Sequence, residues 1–199
     1  PLGHIRLFIS RLDFSILVKG PAVRLLTAIF LSDWAFSTRQ PVANLKAMLH
    51  EAPEPAGESE LEVIESGPEI VGDFLYDRIL MLIQECRRSV TIVTPYFIPD
   101  EVLLRSLEVK ARAGRRVRLI LPRRSNQRLV DIARYHYLRD LDNAGAEILF
   151  YPDGMVHAKL LLVDGEAALS GSANFDMRSL FVNFEMGIVH TSGNDVRAF

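Results

Sequence analysis

A chain of 199 residues, 49% hydrophobic and 24% charged, has material for one well-cored domain and part of another, which excludes a low-complexity or disordered polymer. The formal charge of −2 gives no global attraction to nucleic acid, although a local basic patch remains compatible with it. One cysteine, Cys86, excludes an internal disulfide, fits a reducing compartment and reads as a small core hydrophobe. No signal peptide is visible, and no uncharged apolar run approaches the roughly 20 residues of a membrane span. The longest contender, 22–31, is interrupted by Arg24, so the chain is expected to be soluble. Its opening Pro1-Leu-Gly-His4 lacks an initiator Met and suggests an excised or processed piece.

In chain order, Phe14-Ser-Ile-Leu-Val18 reads as a strand broken by Gly20-Pro21. Pro21 suits the first turn of a helix whose apolar face carries Ala22, Leu25, Leu26, Ile29, Phe30 and Trp34. The acidic, breaker-rich stretch 51–60 is a linker signature. Beyond it, strands are predicted at 61–64, 90–94, 117–121 and 147–151. They alternate with helices opened by Asp73, by Asp100 and by the candidate cap Asn126, the last running to about Ala144. Short strands follow at 156–163, 166–170 and 185–190, with no helix among them. The expected fold is α/β, a mixed, largely parallel sheet flanked by helices on both faces.

Three pieces carry chemistry. In His157-Ala-Lys159-Leu-Leu-Leu-Val-Asp164, a strand would put His157 and Lys159 on one face, with Asp164 closing it at a turn with Gly165. An imidazole beside an ammonium on an apolar strand is costly unless an anion arrives between them. In Ser170-Gly-Ser172-Ala-Asn174, small residues allow close backbone approach, and Asn174 adds a neutral donor. Glu185, in Asn183-Phe-Glu185, could hold one imidazole nitrogen and leave the other free. Each piece alone is more often a strand residue, a solvated charge or a turn; their ordered spacing is what distinguishes them.

That ordered set resembles the HKD motif of the phospholipase D superfamily: His157, Lys159, Asp164, Gly171, Ser172 and Asn174, with Glu185 at the family's downstream carboxylate. Thr94-Pro-Tyr-Phe-Ile-Pro-Asp100, Leu121-Pro-Arg-Arg-Ser-Asn126 and Arg178-Ser-Leu resemble the bacterial cardiolipin synthase branch. The resemblance implies a metal-free, cofactor-free covalent mechanism. One histidine attacks phosphorus and a second protonates the leaving alkoxide. It makes His157 nucleophile or general acid, Lys159 and Asn174 phosphate clamps with help from Ser172, and Glu185 a histidine orienter. Asp164, named with the catalytic set, is expected to brace the strand's end. Tyr96, Arg123 and Arg124 are candidate headgroup contacts or else ordinary packing and solvated charge. The implied reaction converts phosphatidylglycerol to cardiolipin plus glycerol. Alternatives are a homodimeric phosphodiesterase or nuclease and an inactive half-site.

The family's centre needs two motifs, and this chain carries one. Ser15-Ile-Leu-Val18 then Ala22-Val-Arg24 echoes Gly187-Ile-Val189 then Asp195-Val-Arg197. Residues 1–49 are therefore expected to be the tail of a first lobe, 50–60 a linker, and 61–199 a second lobe truncated at its C-terminus. The expected partners are an anionic phospholipid, a cytoplasmic membrane surface for the parent protein, and a second motif-bearing lobe upstream or in a homodimer mate; no nucleic acid is expected.

Overall fold

The computed structural model describes residues 11–57, 59–191 and 196–197; Pro1–His4 and Asp195 of the echo lie outside these. The chain opens with β1 (Arg11–Leu12), α1 (Ala22–Thr38) and α2 (Val42–Leu45). After an exposed linker come β2 (Leu61–Ser66), α3 (Phe74–Glu85), β3 (Ser89–Val93), β4 (Phe97–Ile98), α4 (Glu101–Arg112), β5 (Arg116–Pro122) and α5 (Arg128–Asn143). β6 (Glu147–Tyr151), β7 (Met155–Val156), β8 (Leu160–Val163), β9 (Ala167–Gly171), β10 (Phe175–Asp176), α6 (Met177–Phe181) and β11 (Glu185–His190) complete it.

A seven-stranded mixed sheet runs β2-β11-β9-β8-β3-β5-β6. Parallel pairing is confined to β3-β5-β6, and the remaining neighbours are antiparallel, so the sheet is less parallel than expected. The cause is that after β6 the chain returns by hairpins rather than crossover helices. Val90, Ile92, Val117, Leu119, Leu161 and Val163 alternate onto one face and meet Leu75, Ile79, Ile83, Leu103, Leu107 and Leu141 of α3, α4 and α5 in one core. Burying each such side chain contributes roughly 1.5–3 kcal/mol. Those three helices thus share one face instead of dividing between two. The reverse face carries half-buried Thr91, Val93, Arg118, Ile120 and Leu162.

Several local expectations are corrected. Residues 14–18 form no strand; the preceding Arg11–Leu12 pairs instead with β7, in parallel. On α1 the buried residues are Leu31 and Ala35, while Leu25 (54%), Phe30 (57%) and Trp34 (48%) are exposed. The helix lies beside β2, and near its C-terminal end Phe36 packs 4.9 Å from the Phe184 ring. Asp100 caps α4, accepting from Val102 N and Leu103 N, but α5 starts after Gln127, because Asn126 accepts from the Tyr96 hydroxyl instead. A short helix, α6, interrupts the C-terminal strands, capped by Asp176, which accepts from Ser179 N at 2.8 Å. No described helix is long and apolar enough to cross a membrane.

Candidate active site

The strand directions gather chemistry at one sheet edge. The C-terminal ends of β3, β5, β6 and β9 and the N-terminal ends of β8 and β11 all open there. His157 and Lys159 precede β8, Ser172 and Asn174 follow β9, and Glu185 begins β11. Tyr96 follows β3, and Arg123 and Arg124 follow β5.

The expected strand 156–163 is broken. Residues 157–159 belong to neither β7 nor β8, and the break lets both side chains converge. Lys159 Nζ lies 3.2 Å and 3.1 Å from Nδ1 and Nε2 of His157 and donates to His157 O at 2.7 Å. The backbone is held from both sides: His157 N donates to Leu12 O at 2.8 Å, and Gly171 N to Lys159 O at 3.3 Å. The carboxylate on the ring is Asp13, whose Oδ1 stands 3.2 Å from Nδ1. A carboxylate there favours the ring proton on Nδ1, the tautomer in which Nε2 carries no proton.

Glu185, expected on the histidine, is engaged elsewhere. Its Oε2 accepts from the Ser172 hydroxyl and its Oε1 from Asn183 Nδ2 at 3.1 Å. Ser172 also receives Met186 N on its oxygen and donates its own N–H to Met186 O, both at 3.0 Å. This lock requires glycine at 171, since a Cβ there would collide with the Met186 carbonyl oxygen and lie 3.0 Å from Gly187 Cα.

Asn174 is turned inward. Its Nδ2 donates to Ser179 Oγ at 3.2 Å, and its Oδ1 is buried with no hydrogen-bond partner. The segment is fixed by Thr94, whose Oγ1 accepts from Phe175 N and donates to Tyr96 O.

Asp164 sits at the far end of β8, remote from His157. It takes the left-handed conformation (φ 57°) before Gly165 (φ 70°), a tight hairpin turn. Its carboxylate accepts from Arg87 N (2.8 Å), Arg88 N (2.7 Å) and Ser89 N (2.7 Å). Burial opposes its ionisation, but the three amides and the Arg88 guanidinium outweigh that and hold the carboxyl below its ordinary range. These bonds tie the β8–β9 turn to the start of β3.

Residues 79–199 match the family model described as cardiolipin synthase, PLD-like domain. The chain belongs to that family. Among curated relatives it is 34% identical over 192 residues to a cardiolipin synthase of Geobacillus sp. (strain WCH70), covering 96% of this chain and 38% of that protein. It is 36% identical over 174 residues to the cardiolipin synthase of Geobacillus thermodenitrificans, covering 87% and 35%. The chain therefore spans well under half the length of these relatives. The phospholipase D family member Nuc from Salmonella typhimurium shares the fold at a TM-score of 0.59 and 22% identity, covering 71% of this chain and 90% of that one. The phosphatidylserine synthase of Haemophilus influenzae gives 0.56 and 18%, covering 75% and 38%.

Asp13 escaped the sequence reading, although a signal existed. In the internal echo Ser15 matches Gly187, which aligns Asp13 with Glu185 two residues earlier in each repeat. Thr94 and Ser179, which position the Asn174 segment, had no such signal.

Proposed function

We propose that this chain contributes one half of a phosphatidyltransferase centre that turns phosphatidylglycerol into cardiolipin plus glycerol through a phosphohistidine. The observation that carries the reading is the contact of Lys159 Nζ with both ring nitrogens of a histidine whose Nδ1 is held by Asp13. A free imidazole lone pair beside an ammonium suits a tetrahedral phosphodiester: Lys159 neutralises a non-bridging oxygen while Nε2 faces phosphorus.

In the first half-reaction an imidazole nitrogen bonds to phosphorus, and the glycerol oxygen leaves with a proton from the opposing imidazole. In the second, the hydroxyl of another phosphatidylglycerol gives its proton to that imidazole, bonds to phosphorus and expels the histidine. His157 is one of the two imidazoles, the other belonging to a second lobe in the same protein or in a partner copy. Residues 11–49 read as the tail of a neighbouring lobe. In this reading Asp13 is the positioning carboxylate that one lobe lends to the other, and Glu185 is placed to serve the opposing histidine in return. Asn174 joins the clamp when its amide swings from Ser179 toward the substrate, where its N–H2 can donate to a phosphate oxygen. The anionic substrate places the working protein at a membrane surface.

The test is phosphatidyl transfer by a protein containing both lobes, with the His157→Asn variant alongside. A phosphorylated peptide containing His157, trapped by acid-free quenching, identifies it as the nucleophile. Loss of leaving-group departure, with the adduct on the other histidine, identifies it as the acid. Undiminished turnover by His157→Asn overturns the proposal.

A further inference from the structure

The arginines of β5 divide into two groups. Arg116 and Arg118, in the strand itself, pair with Glu147 at 3.0 Å and 3.2 Å. Arg123 and Arg124, just past its end, are exposed and meet no carboxylate among the described residues. Their loop is held stiffly at the edge that bears the active site. Arg123 N donates to Tyr151 O at 3.1 Å, Ser125 N to Asp131 Oδ2 at 3.0 Å, and Asn126 accepts from the Tyr96 hydroxyl.

Beneath the loop lies Arg134, only 4% exposed. Its Nη2 donates to Arg123 O at 3.2 Å, which puts the guanidinium directly under the loop backbone. Nη1 of that group is buried and has no hydrogen-bond partner. Asp131 Oδ1, at 3.1 Å from Nη2, is its one counter-charge among the described residues. A desolvated guanidinium with an unused donor is costly, and that cost falls when an anion settles above it. The N-terminal end of α5 adds positive potential at the same place.

We infer that the loop carrying Arg123 and Arg124 seats the second phosphate of the reaction, the phosphodiester of the acceptor lipid's headgroup. This rests on the transfer reading above, with the donor phosphate at His157 and Lys159. Joining two anionic lipids brings two like charges together, and the acceptor side needs counter-charge of its own; hydrolysis by water needs none. The spacing suits the task. Only β3 separates β8 from β5, so the two seats lie about 10 Å apart across the sheet edge. A three-carbon glycerol bridge and an arginine side chain cover that span together.

The chain is titrated with glycerophosphoglycerol, the water-soluble headgroup of phosphatidylglycerol, and in parallel with inorganic phosphate. Side-chain resonances of His157, Arg123 and Arg124 are followed, and the backbone amide spectrum verifies folding. The diester is expected to shift both sets. Arg123→Gln with Arg124→Gln should weaken binding at the loop about tenfold, read from the backbone amides of 123–126, and leave the His157 titration in place. If His157 alone responds in the unmodified chain, the acceptor seat is overturned and the transfer reading stands. If His157 does not respond, both fall. Inorganic phosphate binding the loop as tightly as the diester would mark it as a general anion site and also overturn the inference.

Discussion

Asp13 Oδ1 meets His157 Nδ1 at 3.2 Å across 144 positions of sequence, from the far side of the acidic linker. The contact is not incidental to the backbone. Arg11 and Leu12 pair in register with Met155 and Val156, and Leu12 O receives His157 N, so the strand pairing delivers the carboxylate to the ring. Segment 11–13 is in this sense part of the site.

Replacing Asp13 with Asn exchanges the carboxylate that fixes the proton on Nδ1 for a neutral amide that can accept from Nδ1–H or donate to a bare Nδ1. Phosphatidyl transfer is expected to fall about 100-fold, as for other lost ring-positioning partners. The check independent of activity is the nitrogen-15 spectrum of His157, which should show the Nδ1–H tautomer giving way to a mixture while the fold is retained.

Lys159→Met keeps the stem and deletes the charge. If the ammonium holds a non-bridging oxygen, kcat should drop about 1,000-fold, more than KM rises. Lys159→Arg should restore only part of this, because a larger planar fork cannot put a compact charge where the ammonium stands. Steady-state kinetics of both variants check the ordering.

Asp164→Asn should leave the turnover of folded protein nearly intact and cost about 3 kcal/mol of stability at neutral pH, through weakened bonds to three amides. The sign with pH follows from the depressed carboxyl. Its stabilisation is present above the unfolded value of about 4 and is lost as pH falls through the lower folded one. Denaturant melts of both proteins should therefore converge on acidification; a gap that persists at low pH would refute this role.

Gly171→Ala drives a methyl group into the Met186 carbonyl and the Gly187 backbone. The β9–β11 pairing must open, costing about 3 kcal/mol and loosening Ser172 from Glu185. Thermal melting should report the loss, and activity should fall further than stability alone accounts for.

Much of the fold was legible because the lobe's strands and helices follow their own periods. Val117 to Leu121 alternates onto the core, and Asp100 caps its helix as its chemistry suggests. The break at 157–159 was not legible, since an apolar run shows period two whether or not it is interrupted. The strand expected at 14–18 failed for a tertiary reason: β-rich composition does not supply a partner, and the available edge, β7, lies opposite 11–12. The motif residues were visible from spacing, but the identity of the carboxylate on the ring was not. It depends on a long-range pairing of two residues per strand, too short to leave a pattern.

The β1–β7 pairing has a bearing on how such centres can be assembled. It uses backbone groups, and a backbone ladder does not require both strands to come from one polypeptide. Severed at the exposed linker, the two pieces would still be complementary. The histidine would then recover its carboxylate by complementation in trans, at a rate set by protein concentration instead of by tether length.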